Sequence, residues 1–148
     1  MSIAVRSATL SDSEAIARLV SSLGYPTLAR QMCTRLESIL ADEDYATLVA
    51  CDDEQIVGFI GTRVGALYES DGYYGQIMAL AVATDQQRRG IGQTLIQAAE
   101  SILVAGGASI LVVTSGNQRA DAHGFYEKNG YVFTGRRYKK TVGSSDRS

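Results

Sequence analysis

The chain has few cysteines, no excess of charge of either sign and no long hydrophobic run. Its 148 residues include two cysteines, Cys33 and Cys51, which are too few for a disulfide framework and have no metal-ligand spacing. The formal net charge is −2, so we expect no nucleic-acid partner. The longest apolar runs are far short of a membrane span, and residues 1–6 lack the layout of a signal peptide. We therefore expect a cytoplasmic protein that does not bind a membrane.

The composition is typical of one compact domain. Hydrophobic residues make up 45% of the chain and charged residues 20%, which is ordinary for a globular protein. The length leaves no room for a second domain, and there is no internal repeat or low-complexity segment. We assign residues 1–142 to a single domain and the polar residues 143–148 to a disordered tail.

The hydrophobic periodicity predicts the element order β-α-α-β-β-β-α-β-α-β. Ser11 and Glu14 form a capping box that starts the first helix, and Pro26 suits the first turn of the second. Gly58 and Gly61 indicate a bulge or bend in a strand. The central strand is apolar on both faces, as expected inside a covered sheet. Strands are predicted over residues 3–7, 45–51, 55–64, 73–83, 109–114 and 131–142.

The turn between the central strand and the main helix has an unusual composition. Gly90 and Gly92 occupy the first turn of the helix, where each costs roughly 1 kcal/mol relative to alanine. Arg88 and Arg89 lie in the same turn, where the positive end of the helix dipole disfavours cations. A bound phosphate would explain both features, because free N–H groups would donate to it and the arginines would screen its charge. The competing interpretation is a surface turn in which a polar side chain caps the helix.

Two familiar phosphate loops do not fit this turn. A P-loop needs a lysine after its last glycine, whereas Gln93 follows Gly92. A dinucleotide-binding fingerprint needs a third small residue where this chain has Leu95. The remaining pattern, Gln87-x-x-Gly90-x-Gly92, resembles the coenzyme A pyrophosphate loop of the GNAT family of N-acetyltransferases.

A second segment, residues 122–131, extends the resemblance. Its sequence AHGFYEKNGY is similar to the second signature of that family, a short helix that here ends at Asn129 and Gly130. The two motifs occur in the family's order, separated by one helix and one strand, and the similarity covers nearly the whole chain. The resemblance implies an α/β (α+β) protein with the GNAT fold, a central mixed, mostly antiparallel twisted sheet of about six strands flanked by about four helices.

The resemblance also implies a reaction, the transfer of an acetyl group from acetyl-coenzyme A (acetyl-CoA) to an amine without a metal. Tyr126 would be the catalytic acid that protonates the departing thiolate. The central strand would pair with the pantetheine arm and donate an N–H group to the developing oxyanion. The residues implied to bind the cosubstrate are Leu80, Ala81, Val82, Gln87, Arg88, Arg89, Gly90, Ile91, Gly92, Gln93, Asn117, Arg119 and Tyr126.

The chain departs from the family pattern at two positions. Some protein-acetylating members have a glutamate on the central strand as general base, but the aligned residue here is Gln76, which cannot accept a proton. A water chain, Glu69, Asp71 or an amine that arrives neutral could replace it, so we assign no base. Arg119 stands where many members have an asparagine that contacts the coenzyme arm, and Asn117 is a weaker candidate for that contact.

The sequence says least about the acceptor. Two acidic segments would flank its entrance if the resemblance holds, and they would attract a small cationic amine, for example a polyamine-like or aminoglycoside-like molecule. An ordinary solvated surface is the competing interpretation. Protein or peptide acetylation, a noncatalytic acyl-CoA sensor and a nucleotide-binding module are alternatives, and the oligomeric state stays open, a homodimer included. The acidic residues proposed to bind substrate are Asp42, Asp44, Glu69 and Asp71.

Overall fold

The computed structural model describes residues 3–114, 120–135 and 138–143. Short 3-10 turns at Leu10–Asp12 and Thr84–Gln86 precede the first and third helices. No helix within these residues combines the length and the hydrophobicity needed to cross a membrane. In chain order the elements are β1 (Ile3–Ser7), α1 (Ser13–Ser22), α2 (Ala29–Ala41), β2 (Tyr45–Asp52), β3 (Gln55–Ala66), β4 (Tyr73–Val82), α3 (Ile91–Ala105), β5 (Ala108–Val113) and α4 (Ala120–Lys128).

The five strands form one sheet in the order β1-β2-β3-β4-β5. The first three pairings are antiparallel, and β4 and β5 are parallel because α3 returns the chain across the sheet between them. The chain divides into two compact units. Met1–Gly116 contains the sheet with α1 to α3, and Asn117–Ser148 contains α4. The predicted class, a mixed and mostly antiparallel sheet with four helices, is confirmed.

The prediction of about six strands is wrong, because the residues that the structure describes form a sheet of five strands. The sequence pattern predicts a last strand over residues 131–142, but residues 131–135 and 138–143 contain no strand. Alternating hydrophobicity indicates a strand only where one face of it becomes buried. Val132 and Phe133 are 80% and 75% exposed, so the apolar pattern of this segment is not matched by burial.

Helices cover both faces of the sheet. On the face that we call the α1/α2 face, Ile16 of α1 and Leu36 of α2 belong to a buried cluster with Phe59 and Ala81 of the sheet. On the other, the α3 face, Gly58 lets α3 approach the strand backbone. A Cβ at Gly58 would lie 3.1 Å from the Cδ1 of Leu95, a buried residue of α3. The start of α3 is therefore packed directly against β3, beside the end of β4.

An ion pair between an exposed arginine and a buried carboxylate connects β1 to the start of α1. The Arg6 guanidinium donates to both carboxylate oxygens of Asp12, at 2.8 and 2.9 Å, and the Thr9 N–H donates to the same carboxylate at 2.8 Å. Asp12 is only 5% exposed. The hydrogen bonds from Arg6, supported by the one from Thr9, lower the pKa of Asp12 below its ordinary value. The carboxylate form of Asp12 is thus the form that the fold stabilises.

Replacing Asp12 with asparagine tests this linkage between charge and stability. At pH 7 we expect Asp12→Asn to lower the free energy of unfolding by roughly 1–3 kcal/mol, because the N–H donors of Arg6 and Thr9 lose their charged acceptor. The depressed pKa means that this stabilisation is complete above about pH 4 and is lost as the pH falls through the folded-state pKa. Urea unfolding of both proteins between pH 7 and about pH 2 measures the difference.

Asp53→Asn is the matched control, since Asp53 is exposed in the β2–β3 turn with a φ of 55° that asparagine also tolerates. We expect its stability to stay within about 0.5 kcal/mol of the wild type. If the gap between wild type and Asp12→Asn were the same at pH 7 and about pH 2, the ionised carboxylate would not be the stabilising species.

Candidate active site

β4 and β5 separate after Ile77. Their pairing extends from Tyr73 opposite Ala108 to Ile77 opposite Val113, and the Thr114 N–H donates to the Ile77 carbonyl at 3.0 Å. Beyond this point, residues 79–82 of β4 pair with β3, and none of residues 78–82 pairs with β5 in the part of the chain that the structure describes. One edge of β4 is therefore open over these five residues.

A β-bulge explains this separation. Thr62 of β3 pairs with Ile77 and Gly61 pairs with Ala79, so Met78 is an extra residue in β4. A bulge bends its strand and increases the local twist, which turns the second half of β4 away from β5. The extra residue lies in β4, opposite Gly61. In β3, the strand whose glycines predict a bulge or bend, Ala50 of β2 pairs with Gly58 and Cys51 pairs with Ile56, so Val57 is an extra residue beside Gly58 and that prediction is confirmed.

The hydrogen bonds of β4 show which backbone groups face the open edge. The Ala83 N–H donates to the Val57 carbonyl of β3 at 2.8 Å. Successive residues of a strand direct their N–H and C=O groups to opposite sides, so Ala81 also faces β3. By the same alternation, the N–H and C=O groups of Leu80 and Val82 point to the open edge. Two of the three strand residues that the sequence assigns to the cosubstrate thus direct backbone groups to this edge. One of these groups, the Val82 carbonyl, accepts a hydrogen bond from the Nε2 of Gln87 at 3.4 Å.

The turn that follows β4 leaves the N-terminus of α3 uncapped. Gly90 is the N-cap residue, with a φ of 77°, and no side chain caps the helix. The Thr94 N–H donates to the Gly90 carbonyl at 3.0 Å, as in any first helical turn. Within the described residues, the N–H groups of residues 90–93 have no acceptor in the protein. The interpretation in which a polar side chain caps this helix is therefore excluded.

Backbone strain and charge both favour an anion at this turn. Arg88 has a φ of 74°, a conformation that costs a residue with a side chain roughly 1–2 kcal/mol. The first turn of α3 has no acidic residue, so the positive end of the helix dipole meets no negative charge of its own helix. Four unsatisfied N–H donors at such a terminus form a site to which an anion can bind.

The two arginines of the turn have different environments. Arg89 donates to the Asp52 carboxylate at 3.0 Å and to the side-chain oxygen of Gln86. Its charge is therefore paired, and it ties the turn to the end of β2. Arg88 is exposed and has no ion pair among the described residues. Of the two, Arg88 is the arginine whose charge stays available to a ligand.

Gln76 lies just before the point where β4 and β5 separate. Its amide Nε2 donates to the Thr114 hydroxyl at 2.8 Å. The side chain therefore reinforces the last rung of the β4–β5 pairing. The sequence indicates that Gln76 cannot be a base, but it does not predict this contact, which joins residues 38 positions apart.

The remaining sequence-predicted residues of the coenzyme site lie in the second part of the chain. Tyr126 is on α4, where its ring packs edge-on against Phe125 and Tyr131, with centroid distances of 5.4 and 6.2 Å. Asn117 and Arg119 lie outside the described residues.

The four acidic residues proposed to bind substrate lie at the end of the sheet opposite the α3 turn, where β2 and β4 begin. The Asp42 carboxylate accepts a hydrogen bond from the Asp44 N–H at 2.9 Å. Asp44 also lines a cavity of about 190 Å³ that includes Leu103 of α3. Glu69 and Asp71 are exposed in the loop between β3 and β4. The structure therefore brings both acidic segments to one end of the sheet.

Comparison with known proteins identifies a family. The model of the Acetyltransferase (GNAT) family matches residues 14–131. A solved GNAT family acetyltransferase of Staphylococcus aureus is 27% identical, with a TM-score of 0.80 over 96% of this chain and 100% of that chain. A ribosomal-protein-alanine N-acetyltransferase from Brucella melitensis is 21% identical, with a TM-score of 0.76 over 95% and 100%.

A third solved structure extends the range of relatives. It is an aminoglycoside acetyltransferase from an uncultured soil metagenomic sample, in complex with sisomicin. It is 20% identical, with a TM-score of 0.79 over 95% of this chain and 97% of that chain. No curated protein matches the chain. Structures this similar in shape and this different in sequence share the fold.

The different environments of the two arginines lead to a stability prediction. Arg89→Gln removes an ion pair in which both side chains are largely buried, 24% and 23% exposed. We expect it to lower the free energy of unfolding by about 1 kcal/mol. Arg88→Gln removes the same charge from an exposed side chain and is the matched control. We expect it to cause no measurable change in the free energy of unfolding. Urea unfolding of both variants makes the comparison.

A double-mutant cycle with Asp52→Asn assigns the effect to the pair. Because Arg89 and Asp52 contact each other, the double variant should lose less stability than the sum of the two single variants. Equal stabilities for Arg88→Gln and Arg89→Gln would contradict the structural role of Arg89.

Proposed function

This chain belongs to the GNAT family of acetyltransferases, and from this membership we propose that it transfers an acetyl group from acetyl-CoA to a primary amine. One observation carries the proposal most strongly, namely that the open edge of β4 runs directly into a turn with four free N–H donors. A cytoplasmic location fits a thioester cosubstrate and a small amine acceptor.

The α3 turn would hold the pyrophosphate of the cosubstrate. The N–H groups of Gly90, Ile91, Gly92 and Gln93 lack acceptors within the described residues, and phosphate oxygens are the acceptors that such a turn suits. Arg88 would screen the charge from the solvent side. Arg89 would act indirectly, because its bond to Asp52 fixes the turn.

The open edge of β4 would bind the pantetheine arm. An amide-bearing arm can pair with exposed strand backbone as an added strand would, and Leu80 and Val82 present N–H and C=O groups there. A donor fixed at the start of this edge would also stabilise the negative charge that develops on the thioester oxygen, since a preorganised N–H group needs no reorientation during the reaction.

The proposed reaction replaces the C–S bond of the thioester with a C–N bond to the amine. The neutral amine attacks the thioester carbonyl, so that a C–N bond forms while the C–S bond breaks. The amine gives up one proton, and Tyr126 would donate a proton to the departing thiolate. Asn117 and Arg119 would contact the coenzyme. We still assign no base, because the Gln76 side chain cannot accept the proton and donates to Thr114.

The acceptor is proposed to be a small molecule whose amine is protonated in solution. Support comes from Asp42, Asp44, Glu69 and Asp71, which lie at one end of the sheet and would attract a cation. A protein or peptide acceptor is the main rival. An acceptor screen with labelled acetyl-CoA, covering polyamines, aminoglycosides, amino acids and peptides, tests the choice.

Replacing Tyr126 with phenylalanine tests the catalytic acid. A positioned proton donor accelerates such reactions by roughly 10²–10⁴-fold, so we expect Tyr126→Phe to reduce kcat by at least about 10²-fold while the KM for acetyl-CoA stays unchanged. Tyr131→Phe removes the hydroxyl from a ring that packs against Tyr126, and it should retain full turnover.

Activity and binding measurements also distinguish an acetyltransferase from an acyl-CoA sensor and from a nucleotide-binding module. Full activity of Tyr126→Phe would remove this tyrosine from the mechanism. An acyl-CoA sensor would bind acetyl-CoA and acetylate nothing in the screen. A nucleotide-binding module would be stabilised against heat by ATP or a dinucleotide more than by coenzyme A, which a thermal-shift comparison measures.

Neutralising the acidic residues tests the preference for a cation. We expect a variant with Asp42→Asn, Asp44→Asn, Glu69→Gln and Asp71→Asn to raise the KM for a cationic amine, and to do so less at high salt because salt screens exposed charges. Glu54→Gln, exposed in the turn at the other end of the sheet, is the control. An unchanged KM in the fourfold variant would remove the electrostatic role of these residues.

A further inference from the structure

A half-buried arginine on β3 lies between two tyrosines of neighbouring strands. The Nη1 of Arg63 donates to the Tyr74 hydroxyl at 2.7 Å, and its Cζ lies 5.8 Å from the centroid of the Tyr45 ring. Gln76 is the direct partner of Arg63 across β3 and β4. We call these four residues the arginine shelf. Its guanidinium is held from both sides by neutral groups.

The arginine shelf belongs to the α1/α2 face of the sheet. Phe59 is in the buried cluster with α1 and α2, and side chains of a strand alternate between faces, so Arg63 shares its face. Gly75 of β4 points to the α3 face, because a Cβ there would lie 3.0 Å from Leu103. Its neighbours Tyr74 and Gln76 therefore point to the α1/α2 face with Arg63.

Gly65 makes room for the tyrosine ring that contacts the Arg63 guanidinium. A Cβ at Gly65 would lie 2.5 Å from the Tyr74 ring, a distance that no real side chain could keep. Glycine at this position is what allows the ring to lie over β3 and its hydroxyl to meet Arg63. The contact is therefore built into two strands rather than made by a flexible surface side chain.

Arg63 has no counter-charge. No carboxylate forms an ion pair with it in residues 3–114, 120–135 or 138–143. Its guanidinium has five N–H donors, and the structure shows an acceptor for one of them. A partly buried cation favours a negative partner, and the planar guanidinium matches a carboxylate or a phosphate in two parallel hydrogen bonds.

We propose that the arginine shelf binds an anionic group of the acceptor, so that the acceptor is an amine that also carries a carboxylate or a phosphate. This inference rests on the proposed acetyltransferase function and narrows its substrate class. The acidic segments would attract the ammonium group, and Arg63 would bind the acid group. A polyamine or an aminoglycoside that lacks an acid group would gain nothing from Arg63.

The position of the shelf sets the shape of the acceptor. The open edge of β4 begins at Met78, two residues beyond Gln76. A strand rise of about 3.3 Å per residue and a strand spacing of about 4.8 Å place the backbones of Arg63 and Met78 about 8 Å apart. The amine and the acid group should therefore be several bonds apart, as in an ω-amino acid or an aminoalkyl phosphate.

A set of matched amines tests the inference. Acetylation of 6-aminohexanoate, 6-aminohexyl phosphate, hexylamine and 1,6-diaminohexane is followed by the release of free coenzyme A thiol. The wild type should have a KM for at least one of the two acid-bearing amines that is roughly tenfold or more below that for hexylamine. The comparison between the carboxylate and the phosphate identifies which anion fits.

Variants of the shelf assign the preference to Arg63. Arg63→Gln should abolish the advantage of the acid-bearing amine and leave hexylamine unchanged, and Arg63→Lys should keep part of it because the charge remains. Tyr74→Phe removes the hydroxyl that holds the guanidinium and should give a smaller loss for the acid-bearing amine alone. Arg30→Gln, on an exposed position of α2, is the control of equal charge and should behave as the wild type.

Two outcomes would overturn the inference. One is a wild type that uses hexylamine or 1,6-diaminohexane as well as both acid-bearing amines. The other is an Arg63→Gln variant that loses activity equally for every amine, which would indicate a structural role. If Arg63→Gln does not fold, Tyr74→Phe decides by the same criterion.

A different result would contradict the proposed acetyltransferase function. In that case the wild-type protein would bind acetyl-CoA but acetylate none of the amines. Calorimetric titration of 6-aminohexanoate and 6-aminohexyl phosphate into the wild type and Arg63→Gln then decides the inference without turnover. Binding that requires Arg63 supports it, and equal or absent binding to the two proteins refutes it.

Discussion

The extra residue Met78 in β4 determines where β4 leaves β5. A parallel pair of strands satisfies the two edges that face each other, and β4 and β5 do so as far as Ile77. The bulge then turns β4 away, so that Leu80 and Val82 direct backbone groups to an open edge. An unpaired strand edge can pair with a strand of another chain. A ligand that hydrogen-bonds to this edge of β4 would occupy these backbone groups instead.

The packing of α3 continues this arrangement beyond the strand. Because Gly58 has no side chain, Ile91 and Leu95 pack against the strand backbone, and the first turn of the helix lies beside the end of β4. The bond between Arg89 and Asp52 holds the intervening turn from its other side. The open edge and the free N–H groups of α3 are thereby fixed relative to each other, as a site for one elongated anionic ligand requires.

Local sequence was sufficient for every element but the last predicted strand and for the turn before α3, but not for the partners of individual side chains. The apolar periodicity of α3 and the glycines of its first turn are local signals, and the structure confirms the helix and its uncapped start. Gly58 correctly indicated a bulge in β3, whereas the bulge in β4 was not predicted. The last strand was predicted wrongly because alternation cannot tell whether a face becomes buried. The contact of Arg89 with Asp52 was not predicted, because the two residues are 37 positions apart in the chain. Arg63 was missed although it is a charged residue within an apolar strand.

The glutamine at position 76 connects the missing base with the free arginine. Gln76 and Arg63 are direct partners on one face of the sheet. A glutamate at position 76, which the family resemblance would align with the general base of some protein-acetylating members, would lie within reach of the guanidinium. A carboxylate there would pair with Arg63 and could not donate to Thr114 as the amide does. With glutamine, position 76 supplies no proton acceptor, and within the described residues Arg63 forms no ion pair. Glutamine rather than glutamate at position 76 therefore has two consequences. It leaves the general base unassigned, and it leaves Arg63 available to an acid group of the acceptor.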